Sequence, residues 1–376
     1  MHNNNKKLLS IQPFSLYDNG GGSRILRRLY TNNENEVLSV GLTSHKNNKP
    51  SGYIEEILIK AKPLHRKWMR SFVRTTVNWL RSNYFIIFTN KRISNIILQN
   101  NQQVIHLIDH GNHAPAVIKD NKKVKPVPLW VSFHDHFSAV GGSLENTGQL
   151  WKLADRRIVI SEEMGTKYQQ LFGDKQFEII TDGVDDGEIS EPRQIKTNGV
   201  ISIYFAGLLH IDYLPLFRTL ADALDELTQK GKSFKFVLRG TQKVDFLLNR
   251  KFEVEFLPLT LDNAVLKTEL DAADILYLPI KFALPEFSLY SLSTKMIGYL
   301  GGSGAILYHG PGDSAAYKLL SSNKAAVGCT SFNAPDMIAA LNQLLETNLE
   351  CSINAKKLVK ERFRMIELRN KFWQIA

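Results

Sequence analysis

The sequence predicts an α/β protein made of two domains, each with a parallel sheet and crossover helices. Three observations carry that expectation. Short apolar runs of strand length alternate with longer helical patterns from one end of the chain to the other, and parallel strands need such long return connections. Ten or more strand-like runs are present, too many for an ordinary single open sheet. The 376 residues suffice for two domains.

In chain order, the first strands are expected at Lys7–Ile11, Val37–Val40, Val104–Ile108, Leu129–Phe133, Arg157–Ile160 and Phe177–Ile180. A second set follows at Ile201–Phe205, Phe234–Leu238, Val254–Phe256, Ile275–Leu278 and Ala305–Tyr308. Helices are expected at Ser161–Phe172, Tyr213–Lys230, Thr294–Gly301, Ser314–Leu320 and Pro335–Glu346, where the apolar period lengthens from that of a strand. The polar, turn-rich stretch Asp185–Gly199 reads as a linker. It divides a first domain, 1–190, from a second, 191–353, and residues 354–376 follow as a basic terminal helix.

Composition narrows the function classes. Hydrophobic residues at 43% and charged residues at 22% exclude wholesale disorder. No apolar run is long enough to cross a bilayer, and the start of the chain is too brief for a secretory signal. Two cysteines, Cys329 and Cys351, make neither a disulfide framework nor a metal cluster, and Cys329 reads as a small buried hydrophobe. These features suit a cytoplasmic protein. The net charge of +10 calls for an anionic partner. Nucleic acid is disfavoured because no binding signature is present. Between Ile57 and Ile97 lie nine basic residues and no acidic one, interleaved with Trp68, Phe72, Trp79, Tyr84, Phe85 and Phe88. Read as helix, this segment suits an anionic membrane surface and peripheral attachment to the inner face of the plasma membrane. An ordinary solvated helix remains the alternative.

Three motifs bear chemistry. Gly20-Gly21-Gly22-Ser23 follows the first strand and opens a helix, so its backbone N–H groups can approach a phosphate or sugar; a plain tight turn reads equally well. The spacing is not that of a dinucleotide site, which disfavours an oxidoreductase. His134 and Asp135 follow the strand Leu129–Phe133, the end of a parallel strand at which ligands collect. They read as a substrate-contacting pair or as a polar pair at a domain edge, and no further cluster completes a metal site. Ser291 or Ser293 can cap the helix carrying Thr294 and Lys295, and free N–H groups beside an ammonium make an anion site for a diphosphate.

The run Ser291-Leu-Ser-Thr294-Lys295-Met-Ile-Gly298-Tyr299-Leu300, then Ala305-Ile306-Leu307 and Gly310-Pro311-Gly-Asp313-Ser314-Ala315, resembles the GT-B fold glycosyltransferases of family 4, nearest to their bacterial polysaccharide-assembly branch. Gly20–Gly22, Phe133-His134-Asp135, Ile160-Ser161-Glu162, Thr181-Asp182-Gly183-Val184-Asp185 and Tyr204-Phe205-Ala206-Gly207 match in the same order. The resemblance implies two Rossmann-like domains facing across a cleft, with the C-terminal helix crossing back to the first. It implies a retaining, metal-independent transfer of a sugar from a nucleoside diphosphate sugar, a co-substrate and not a cofactor, to a glycan or lipid-linked acceptor. Catalytic candidates are His134, Asp135 and Glu286. Donor-binding candidates are Gly21, Gly22, Ser23, Gly207, Arg239, Leu259, Thr260, Ser293, Thr294 and Lys295.

The chain departs from the family at known points. Tyr290 and Gly298 stand where two glutamates are usual, and Leu208 and Tyr213 stand where an arginine and a lysine are usual. Glu286 lies near the first position at a different offset. Arg239 and Lys295 are the candidates for the missing positive charge, a surface arginine being the alternative for Arg239. The departures leave open a second reading, a catalytically degenerate relative that binds a glycan or a partner transferase. A sugar-nucleotide 2-epimerase is a third, weakly supported by His134, Asp135 and His136.

Overall fold

The computed structural model describes residues 6–43, 54–60, 73, 76, 86–109, 116–118, 127–196 and 198–374. They form two compact units, Met1–Thr181 with Lys371–Ala376, and Asp182–Asn370. The first unit holds a seven-stranded sheet among the described residues. Its strands are β1 (Leu8–Gln12), β2 (Val37–Thr43), β3 (Glu55–Lys60), β4 (Val104–Ile108), β5 (Leu129–Phe133), β6 (Arg156–Val159) and β7 (Glu178–Ile179). The order is β3-β2-β1-β4-β5-β6-β7 and every pair is parallel. Strands β1, β2, β4 and β5 are buried along their whole length, which is why they read as nearly unbroken apolar runs.

The second unit repeats the plan with β8 (Val200–Ala206), β9 (Ser233–Arg239), β10 (Glu253–Leu257), β11 (Ile275–Pro279), β12 (Ala305–His309) and β13 (Ala326–Cys329). Their order is β10-β9-β8-β11-β12-β13, again all parallel. Both sheets therefore run outward in two directions from their first strand, the doubly wound Rossmann pattern. Phe217, on the helix Leu214–Gln229, meets Phe205 of β8 and Tyr277 of β11 edge-on at 4.9 and 5.3 Å, and this aromatic knot anchors one core cluster of the unit.

The helices that matter below are α1 (Gly21–Tyr30), α2 (Ile86–Gln99), α3 (Leu144–Leu153), α4 (Glu162–Phe172), α5 (Leu214–Gln229), α6 (Asn263–Ala272), α7 (Pro285–Tyr290), α8 (Thr294–Gly301), α9 (Ala315–Ser322), α10 (Ala334–Leu358) and α11 (Met365–Trp373). Ser161 and Ser314 cap α4 and α9 by accepting from Met164 and Tyr317 N–H groups, as short hydroxyl side chains do at helix starts.

Four expectations need correction. The basic segment from Ile57 to Ile97 is not helical throughout, because Ile57–Lys60 belongs to β3 and pairs with β2; among the described residues helix is found at Val73 and Thr76 and from Ile86 into α2. Lys62, Arg66, Lys67, Arg70, Arg74 and Arg81 lie outside the described residues. The edge strand β13 is an addition to the expected set. The stretch 185–199 is not a free linker over its described part: Ile195 is 4% exposed in the second core, and Arg193 donates to the carbonyls of Ala272 and Ala273. Finally, α10 runs twelve residues past Glu346, and a π-turn, Val359–Phe363, separates it from α11.

The last residues belong to the first unit. Phe372 is fully buried there, with its ring 5.1 Å from His106, 5.4 Å from Trp130 and 5.9 Å from Tyr30. Arg156 donates to the carbonyls of Lys371 and Phe372, and Trp373 donates its indole N–H to Leu29 O.

Candidate functional site

In a doubly wound sheet the carboxyl ends of the strands diverge where the order reverses, and ligands collect at that point. In the first unit the reversal lies between β1 and β4, and in the second between β8 and β11. The segment after β1 carries Gly20–Gly22, and the segment after β8 carries Gly207. Topology thus puts Gly20–Gly22 and the donor-binding candidate Gly207 just after the first strand of each sheet, beside the two reversals.

In the first unit Gly20 is the N-cap of α1, with no side-chain cap, and Gly21, Gly22 and Ser23 form its first turn. A Cβ on Gly22 would stand 2.6 Å from the Phe14 ring and 3.5 Å from His134 Nδ1. The close approach that only glycine permits therefore brings this turn beside His134. Ser23 is buried and donates to Ser15 O, so it works inside the loop. His134 is buried at the end of β5 and Asp135 is half-buried after it. Next, His136 bonds Ser138 and packs on Phe137 and Tyr168. Asp109, directly after β4, was not expected from the sequence. Burial pushes its carboxyl up to about 6, against the hydrogen bond from Thr147. The signal was available, since an acidic residue closing an apolar strand at the reversal point belongs to the same edge as His134.

In the second unit Gly207 has φ +143°, which disfavours any side chain, and a Cβ there would lie 3.0 Å from Lys295 Nζ. Thr241 Oγ1 donates to Gly207 O at 2.8 Å. Lys295 sits in the first turn of α8, its ammonium 3.7 Å from the centre of the Phe205 ring, an attraction of about 1–2 kcal/mol where water is excluded. Burial pulls its pKa down to about 7, because the charged form loses hydration that a ring face replaces only in part. Ser293 caps α8 by accepting from Lys295 N–H at 3.2 Å, and Thr294 is half-buried beside it. Tyr299, one turn on, accepts from Ala206 N–H at 3.2 Å and ties α8 to the end of β8. A helix start, a lysine and a glycine turn thus converge on one point, which can receive a phosphate.

Arg239 does not join that point as an open cation. Its guanidinium grips Glu269 through Nε at 2.9 Å and through Nη2, and Nη1 donates to Pro258 O. Tyr204 donates to the same carboxylate at 2.8 Å. Burial pushes the Glu269 carboxyl up, but Arg239 and Tyr204 outweigh it and hold the group below its usual range. Arg239 is 9% exposed, so it is not a surface arginine either. Glu286 is exposed on the short helix α7, which follows Leu284 at φ +59°. Leu259 is 65% exposed, close to Gly240, and Thr260 Oγ1 accepts from Asp262 N–H. Gly298 faces open space, and both cysteines are buried. Among the described residues no three His, Cys, Asp or Glu side chains gather as metal ligands, and no helix is long and apolar enough to cross a membrane.

No protein-family model matches the sequence, and no curated protein is detectably similar to it. Solved structures are similar. HepE from Anabaena, in complex with UDP and glucose, has 13% identity and a TM-score of 0.67 over 98% of each chain. A glycosyltransferase from Rickettsia africae has 13% identity and a TM-score of 0.64, covering 97% of this chain and 96% of its own. A UDP-forming α,α-trehalose-phosphate synthase from Burkholderia xenovorans has 11% identity and a TM-score of 0.62 over 98% of each. The chain therefore has the two-domain GT-B fold.

Proposed function

We propose that the chain is a glycosyltransferase, nearest to family 4, that takes a sugar from a nucleoside diphosphate sugar. The observation that carries this reading is the convergence of Lys295, Gly207 and the start of α8 at the chain reversal of the second sheet. A UDP-sugar is the first donor to try, since HepE and the trehalose-phosphate synthase are both described with UDP. In this reading the start of α8 and the Lys295 ammonium hold the leaving diphosphate, and Gly207 gives it room. Stabilising charge on the leaving group is electrostatic work, done best by groups already in position. By the family resemblance, the role proposed for His134, Asp135, Gly21 and Gly22 is to serve the transferred sugar. Retention of configuration, metal independence and a lipid-linked or cell-surface acceptor follow the family resemblance. Attachment to an anionic membrane is part of the same proposal. The outer face of α2 lends it support, with Ile87 and Phe88 62% and 68% exposed beside exposed Lys91 and Arg92.

The open space at Gly298 favours a second reading, a degenerate relative that binds without turnover, because the usual acidic group has no counterpart there. A thermal-shift panel of nucleoside diphosphates, followed by assay of UDP-glucose turnover, separates the two. Ligand at about a hundred times its Kd adds about 2.7 kcal/mol to stability. The proposal expects one nucleotide to raise the midpoint, Lys295→Ala to abolish that rise, and the sugar to be released or transferred. Inactivity across a donor panel together with no nucleotide binding overturns the donor site at Lys295 and supports the degenerate relative, which binds a glycan or a partner transferase.

A further inference from the structure

A row of polar side chains crosses the apolar sheet of the first unit. Glu56 of β3, Ser39 of β2, Ser10 of β1 and His106 of β4 stand side by side in register, and all are buried. Hydrogen bonds join them through neighbours. Ser132 meets His106 Nε2 at 2.7 Å, His106 Nδ1 meets Tyr30 OH at 2.7 Å, and Tyr30 meets Ser10 at 2.7 Å. Ser10 donates to Gln12, and Gln12 donates to Ser39. Buried polar groups cost stability unless they are paired, and a satisfied network fixes one geometry.

The outer end of the row is fastened to the glycine loop. Glu56 Oε1 accepts from Leu16 N–H at 2.7 Å and from Ser39 Oγ at 3.1 Å, and Oε2 accepts from Ser15 Oγ at 2.7 Å. Ser23, in the first turn of α1, donates to Ser15 O at 2.9 Å, and Arg27 donates to Leu16 O and Asp18 O. The residue before Ser15 is Phe14. Its ring fills the space a Cβ on Gly22 would need, and its carbonyl lies 2.9 Å from the equivalent point on Gly41, where Glu56 Oε1 is 3.1 Å away. One carboxylate thus fixes Ser15 and Leu16, which sets Phe14 under Gly22 and Gly22 beside His134.

We propose that Glu56 is a positioning residue for sugar transfer, acting through Ser15, Leu16 and Phe14 on the Gly22–His134 juxtaposition. The proposal rests on the reading of the chain as a UDP-sugar transferase. The test uses the full chain, wild type and with Glu56→Ala and Glu56→Gln, and takes UDP-glucose as the turnover probe. UDP affinity and hydrogen exchange across residues 13–23 are measured beside it. For Glu56→Ala the expected result is a kcat lowered about 100-fold, as a misplacement near 1 Å can cause. UDP affinity stays within about twofold, because Lys295, Gly207 and the start of α8, which are read as holding the diphosphate, belong to the other unit, and exchange across 13–23 rises. Glu56→Gln keeps the acceptor for Leu16 and Ser39 and restores most of the turnover. Should Glu56→Ala not fold, Ser15→Ala, which removes the bond from Ser15 Oγ to Glu56 Oε2, is expected to lower kcat in the same direction. Unchanged kcat and exchange in these variants overturn the proposal, as does parallel loss of turnover and UDP affinity. A wild-type chain that neither binds UDP nor consumes UDP-glucose defeats the transferase reading instead, and with it Glu56's role in transfer; the loop exchange then still decides whether Glu56 holds the loop.

Discussion

Lys295 is the residue on which the donor reading turns, and its surroundings make its charge sensitive to pH. Burial lowers the pKa to about 7, so without ligand about half of the molecules carry the ammonium at neutral pH. A diphosphate beside it favours the charged form and raises the pKa again. UDP binding should then take up protons, and above pH 7 its affinity should fall by about tenfold per unit until the bound-state pKa is reached. Titration calorimetry in two buffers of different ionisation enthalpy measures that uptake, and Lys295→Met should abolish it. For folding the sign is the reverse of a paired lysine. The unfolded chain holds the extra proton between pH 7 and 10.5, so this group's penalty on stability grows as pH falls through that window and is complete below it. Gly207, by contrast, contributes shape, since its φ of +143° and the 3.0 Å approach of Lys295 Nζ leave no room for a side chain.

Helix α8 is held at both ends. Ser293 caps its start, and at the other end Lys356, buried on α10, donates from Nζ to Leu300 O at 2.9 Å and to Gly302 O. A cation at the carboxyl end and an anion site at the amino end both suit the helix dipole. Lys356→Met should leave those carbonyls without a donor and cost about 1–3 kcal/mol, readable as a lower denaturant midpoint. UDP affinity should weaken only as far as the start of α8 shifts. The bounds of α8 were legible to the residue, because a serine cap and a closing Gly-Gly pair are local signals. Lys356 was not, since its contacts span more than fifty positions and read locally as one more charge in a basic terminal helix. Strand β3 was missed for a related reason: Glu56, turned inward to hold a loop, breaks the apolar pattern that marks a strand. Arg239 was likewise misread, for its partner Glu269 lies thirty residues on and nothing local announces the pair.

Across the molecule, the two sheets repeat one winding, and the fold was legible because alternation of strand and helix needs only local pattern. The resemblance implies residues 354–376 against the first domain, whereas only Lys371–Ala376 belong to the first unit and residues 354–370 belong to the second; the way the last residues are fastened is visible only in three dimensions. Phe372 lies fully buried among Tyr30, His106 and Trp130. Phe372→Ala should cost about 3–5 kcal/mol, and calorimetry should find the loss in the unfolding of the first unit. The account as a whole rests on the start of α8 receiving the leaving group. A crystal structure of the full chain with UDP tests this most directly. The account predicts phosphate oxygens within about 3 Å of Lys295 Nζ and the first-turn N–H groups of α8, whereas a nucleotide bound away from Thr294 and Lys295 would contradict it.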